Sequence, residues 1–181
     1  MDEREKIVKA LADYSATPEE IPFKKRFLEL LKHPDAFERT HLPGHITGSA
    51  FIVSEDLKQT LLVHHAKLNR WLQPGGHADG DVNVTRVAMR EANEETGLQH
   101  LKLNSDQIFD IDIHPIPLRK DFAAHDHYDI RYLVTGSTSE KIIVSEESHD
   151  VRWVALSDLE KFTQEKSVLR MRDKLLKGSD S

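Results

Sequence analysis

The 181-residue sequence predicts a helix-flanked mixed sheet, either α+β or an α/β sandwich. Three observations predict it. Two segments with helical spacing lead the chain, short segments rich in β-branched and aliphatic residues follow, and capped helical segments close it. Among the sheet segments lies one long amphipathic helix.

The elements follow in order. Residues 4–14 place Ile7, Ala10, Leu11 and Tyr14 on one helical face. Thr17 as N-cap, Pro18 in the first turn and Glu20 three residues on predict a second helix to about Leu31. Its apolar stripe is Phe23, Phe27, Leu28 and Leu31. Strands are expected at 46–55 and 60–65, joined as a hairpin through SEDLKQ. Trp71 to Asp81, with Pro74, Gly75, Gly76 and Gly80, reads as a loop. Asn83 to Thr96 reads as a helix closed by Gly97. Residues 108–116 and 127–136 alternate as strands, KIIV (141–144) is a short apolar run, and VRWVAL (151–156) is a further strand. Ser157-Asp-Leu-Glu160 has the pattern of a capping box opening a helix, and a last helix covers about 168–177.

Composition narrows the function classes. Apolar residues make up 38% and charged residues 31%, the balance of a globular chain rather than a disordered one. No apolar run reaches the roughly 20 residues of a membrane span. The charged N-terminus, MDEREKIVKALADY, lacks the apolar core of a secretory signal, so a cytoplasmic location is expected. Without cysteine, disulfides and thiolate metal sites are excluded. A net charge of -6 weighs against a nucleic-acid surface.

The central helix carries the chemistry. Positions seven apart nearly superimpose on a helix. Val84 and Glu91 therefore share a line, as do Val87 with Glu94 and Ala88 with Glu95. If the early residues seek a core, the three glutamates look the same way. Carboxylates at i, i+3 and i+4 repel one another, and a hard divalent cation such as Mg²⁺ removes the conflict. A solvated acidic helix end is the competing reading. The PGG segment ahead of the helix lets the backbone approach a ligand closely, which favours a phosphate-plus-metal site.

These residues resemble the Nudix box, which reads G, five residues, E, seven residues, then R-E-U-x-E-E-x-G-U, where U is a bulky aliphatic. Gly76 aligns with the opening glycine and Arg90-Glu91-Ala92-Asn93-Glu94-Glu95-Thr96-Gly97-Leu98 with the second half. The resemblance spans roughly residues 45–162 and implies the family's α+β fold, a mixed sheet sandwiched between helices (α/β/α), here with an N-terminal helical extension. The extension would be residues 1–43 and the Nudix domain 44–178. The extension's apolar stripes would pack on the domain or form a homodimer interface.

One position departs from the box. Its first glutamate falls on Val82, and Asp79 or Asp81 is expected to take over the pairing with Arg90. The resemblance implies Mg²⁺-dependent (or Mn²⁺-dependent) hydrolysis of a diphosphate linkage in a small nucleotide substrate. Glu91, Glu94, Glu95 and the Gly75 carbonyl would be metal ligands, Glu91 alternatively the base. Arg90 would position a glutamate, and Glu147, preferred over Glu146, would be the general base. A nucleotide-sensing domain with little turnover and an RNA-end pyrophosphohydrolase are the alternatives.

Histidines supply the second unusual pattern, with eleven in the chain. On a strand, His125, His127, Asp129 and Arg131 share one face, while Tyr128, Ile130 and Tyr132 share the core face. The polar face is expected to line a ligand cleft, with His125, His127 and Arg131 contacting substrate and His114 nearby. His77 follows Gly76 and should contact substrate near the metals. A zinc site built on His125 and His127 is a further reading.

Overall fold

In the computed structural model, which describes residues 1–179, α1 (Glu3–Asp13) opens with a reciprocal cap. The Asp2 carboxylate accepts the Glu5 N–H at 2.7 Å, and the Glu5 carboxylate accepts the Asp2 N–H at 2.9 Å. The second helix, α2 (Ile21–Leu30), starts later than Thr17 and Pro18 suggest. Pro22 explains the delay. It lacks an N–H and is tolerated only in a first turn, so a helix begun at Pro18 would hold it in the interior. The Thr17 hydroxyl caps nothing; it is buried without a hydrogen-bond partner.

Next come β1 (Gly44–Ser54), β2 (Gln59–His65), β3 (Arg70–Leu72), β4 (Gly75–His77), α3 (Val84–Thr96) and β5 (Lys102–Leu103). After them come β6 (Asp110–Ile116), β7 (His125–Gly136), β8 (Ser148–Ala155), a 3-10 helix (Leu156–Lys161) and α4 (Lys166–Ser179). The architecture is the α+β type expected. The chain divides into two compact units, and β1, α3 and β7 contribute residues to both.

The first unit comprises residues 1–49, 75–88 and 106–132. Here β4 pairs antiparallel with β1 (Thr47 opposite His77, Ser49 opposite Gly75), and β6 pairs antiparallel with β7 (His114 opposite His127). The apolar stripes of α1 and α2 are buried within the chain, through Ile7, Leu11, Phe27 and Leu30. Phe27 meets Tyr128 edge-on at 5.3 Å. Arg26 donates to Asp126 at 2.8 Å. The fully buried Glu20 carboxylate accepts from the Tyr14 hydroxyl at 2.7 Å, the Thr17 N–H at 3.0 Å and the Ile111 N–H at 3.1 Å. The start of α3 lies against β1 so closely that a Cβ on Gly48 would meet Val84 Cγ1 at 3.0 Å.

The second unit comprises residues 50–74, 89–105 and 133 onwards. Its strands follow the path β3-β2-β1-β7-β5, with β8 pairing antiparallel to β2. The unbroken apolar run Leu61-Leu62-Val63 is explained by burial on both faces. Leu61 and Val63 join Ala50, Ile52, Ala92, Leu98 and Val134 in one core cluster. Leu62 joins Val154, Leu159 and Val168 in another, with Trp71 packed against it.

Several expectations are corrected. Trp71–Asp81 is not one loop, because Arg70–Leu72 pairs with β2 and Gly75–His77 with β1 as short strands. The apolar run KIIV, for which no element was expected, lies outside the strands. There the Ile143 N–H donates to the Thr96 carbonyl at 2.8 Å, satisfying an orphan acceptor at the end of α3. Ser157–Glu160 opens no α-helix; it lies in the 3-10 turn, which has no side-chain cap. Lys102–Leu103, too short to show a period, is a strand the sequence pattern does not reveal.

Candidate active site

The acidic end of α3 belongs to the second unit. Ala92 is fully buried in the core cluster there, which turns the flanks of the helix in a defined direction. Glu95 is 5% exposed, Glu91 has a side chain 16% exposed, and Glu94 is exposed. The common inward stripe is therefore only partly realised. Residues four apart differ by about 40° around the axis and residues three apart by about 60°. Glu91 and Glu95 thus stay near the protein while Glu94 falls on the open flank.

This placement is electrostatically costly. Glu94 and Glu95 sit in the last turn of α3, where the helix dipole disfavours anions and which itself carries no basic residue. Burial first, then the Glu94 carboxylate, push the Glu91 carboxyl above the usual range; Glu147 adds to the rise and Arg90 opposes it. Arg90 Nη2 lies 3.6 Å from Glu91 Oε1. The structure thus brings Glu91, Arg90, Glu94 and Glu147 into mutual electrostatic reach, with Glu147 exposed just ahead of β8. Gly97, in the left-handed region at φ +74°, ends the helix, and a Cβ there would come within 2.5 Å of Ile143 Cβ.

The remaining expected site residues belong to the first unit. Gly75 lies on β4 opposite Ser49. Asp79 holds Arg39 through two hydrogen bonds of 2.7 and 2.6 Å, and Asp81 holds Arg86 through two of 2.8 and 2.7 Å. Both carboxylates ahead of Val82 therefore have arginine partners, Asp79 one from a distant segment and Asp81 one five residues on.

The polar face of β7 alternates as expected, but it does not line an open cleft along its length. Arg131 and Asp129 are each 2% exposed. Arg131 Nε donates to Asp129 at 2.8 Å, and its other nitrogens lie 3.3 Å from Asp110 and 3.6 Å from Asp112. Asp129 also accepts from Thr47 at 2.9 Å and Ser49 at 2.7 Å. The guanidinium expected to contact substrate is committed to a buried ion network, because a charge this deep needs paired partners.

Above that network the histidines converge. His127 stands within 5.5 Å, ring centre to ring centre, of His45, His77, His114 and His125. Burial holds His45 and His77 down to about 4 and His127 to about 2, so all three are neutral at pH 7. Sequence reasoning missed His45. Its signal was available: His45, Thr47 and Ser49 alternate along β1, the period-2 pattern of a polar face.

Residues 44–174 match the family model described as NUDIX domain. The chain belongs to the Nudix family. A curated relative, "Probable DHNTP pyrophosphohydrolase" of Lactococcus lactis subsp. cremoris (strain MG1363), is 30% identical over 91 residues. That alignment covers 49% of this chain and 52% of the relative, so the chain spans about half the length of the curated relative it matches. The fold is shared with a C. elegans Ap4A hydrolase (binary complex), at TM-score 0.57 and 20% identity over 74% of this chain and 98% of that one. A NUDIX family hydrolase from Clostridium perfringens aligns at TM-score 0.55 and 26% identity, over 72% and 95% of the two chains. Within this Nudix chain, Arg90, Glu91, Glu94 and Glu95 lie in the C-terminal half of α3.

Proposed function

We propose that the protein is a Nudix hydrolase that cleaves a diphosphate linkage in a small nucleoside diphosphate joined to a second group, using Mg²⁺ or Mn²⁺. The reading rests on one observation: Glu91, in the C-terminal half of α3, carries a carboxyl raised by burial and further burdened by Glu94 and Glu147. A chain keeps charge at such a position when a cation compensates it.

The donor set fits a hard divalent ion. Glu91, Glu94 and Glu95 offer oxygen only, on one helical turn, and they are the residues that would hold it. When bound, the ion supplies Lewis-acid polarisation of the phosphoryl oxygens and a lower pKa for the attacking water. The chain's own residues do the rest. Glu147, exposed beside this cluster, accepts the proton of the attacking water. Arg90 positions the Glu91 carboxylate through their 3.6 Å ion pair. The relatives' names, DHNTP pyrophosphohydrolase and Ap4A hydrolase, support a soluble polyphosphorylated substrate.

The test is a substrate panel with Mg²⁺ or Mn²⁺: nucleoside triphosphates, nucleotide sugars, dinucleoside polyphosphates, ADP-ribose and DHNTP, with product identification. At least one member is expected to turn over. Glu94→Gln should lower that rate by about 100-fold or more. Near-normal turnover in Glu94→Gln would remove that residue from the metal set. Tight binding without turnover of any member would replace hydrolysis with the nucleotide-sensing reading.

A further inference from the structure

The first unit holds a histidine cluster to which the proposed reaction gives no task. We infer that His45, His77 and His127 form a binding site for a divalent transition-metal ion of the zinc class. Each offers a ring nitrogen, and these nitrogens all lie within 4.8 Å of one another. The three residues come from β1, β4 and β7, so a bound ion would pin three strands of the unit together.

His45 points most directly to a ligand. It is fully buried, and its Nε2 has no hydrogen-bond partner. Its Nδ1 faces the His41 carbonyl at 3.5 Å. A carbonyl only accepts, so Nδ1 carries the proton and Nε2 presents a lone pair. An imidazole anchored through Nδ1–H to a backbone carbonyl, with Nε2 free, is the arrangement that orients histidine towards a metal. A buried nitrogen left unpaired is otherwise uncommon and costly.

His125 repeats the pattern beside the triad. Its Nδ1 donates to the Ala123 carbonyl at 2.8 Å, and its Nε2 lies 3.2 Å from the Nε2 of His127. Two ring nitrogens facing each other share either a proton or a cation. With zinc–nitrogen bonds of 2.0–2.1 Å, tetrahedral ligands stand about 3.3 Å apart. This pair already has that spacing, and the triad would reach it through rotation of its side chains. The all-imidazole donor set also selects the ion. Nitrogen ligands suit zinc and its neighbours, whereas Mg²⁺ takes oxygen.

The test is calorimetric titration of the metal-stripped full chain with Zn²⁺ in excess Mg²⁺, which occupies oxygen sites. One tight equivalent is expected. It should persist in a variant combining Glu91→Gln, Glu94→Gln and Glu95→Gln, which separates it from the proposed hydrolytic site. His45→Gln, His77→Gln and His127→Gln should each weaken it by about 100-fold or more, and Zn²⁺ should raise the melting temperature of the wild type but not of these variants. Co²⁺ bound to the wild-type chain reports without any substitution. Intense visible absorption from a four-coordinate nitrogen site is expected, and the weak absorption of an octahedral oxygen site overturns the inference. It is equally overturned if the glutamate-free variant takes up no Zn²⁺, or if folded His127→Gln binds it undiminished.

Discussion

Glu91 carries its charge where the fold penalises it. A carboxyl whose folded value is raised binds its proton more strongly in the native state than in the unfolded chain. Its ionisation therefore costs stability, and the cost sets in as pH rises above the ordinary carboxylate range. Glu91→Gln is expected to raise the melting temperature of the metal-free protein at pH 7.5, by up to about 2–4 °C. At pH 4 the two proteins should melt together; a gain that persists there would trace to packing instead. Glu147→Gln separates proton transfer from metal binding. A drop of about 100-fold or more in kcat is expected, with Mn²⁺ affinity by calorimetry unchanged. At this scale the sequence was most informative. Helical spacing singled out Glu91, Glu94 and Glu95, since a helix fixes which residues share a side. It could not separate exposed Glu94 from buried Glu95, because their difference depends on where Ala92 docks.

The elements show which local signals tertiary contacts override. Thr17-Pro18 carries a good helix-start pattern, yet only its glutamate half forms: Glu20 accepts from the Thr17 N–H, and from the Tyr14 hydroxyl and the Ile111 N–H as well. That carboxylate fastens the N-terminal helical pair to β6. Glu20→Ala is expected to cost about 2–4 kcal/mol in urea unfolding, by leaving buried donors unpaired. A loss below about 0.5 kcal/mol would mean that the three contacts are dispensable. Gly97 was legible as the end of α3, because a left-handed C-cap favours glycine. The short strands β3 and β4 were not legible. Three residues cannot show a period, and their strand character comes from neighbours they pair with. The polar face of β7 was read correctly in its alternation and wrongly in its exposure. Arg131 meets Asp110 and Asp112 across the β6–β7 pairing, a contact that only register decides.

Across the whole chain, titration of the histidine cluster should govern acid stability. His45 and His77 are held down to about 4 and His127 to about 2, against an ordinary value near 6.5. Between these limits the unfolded metal-free chain binds more protons than the native one. Stability is therefore complete above about pH 6.5 and is lost as pH falls towards 4. Urea midpoints taken at pH 7, 5.5 and 4.5 should fall in that order, and equal midpoints would mean that the rings are already solvated. The sequence by itself determined the family and the helix bearing the acids, because these are local periodicities and spacings. Tertiary structure alone decided which polar residues are buried, that Arg131 serves an ion network, and that His45 joins His77 and His127. Those facts depend on pairing between strands distant in sequence, and strand register leaves no mark in any single stretch of residues.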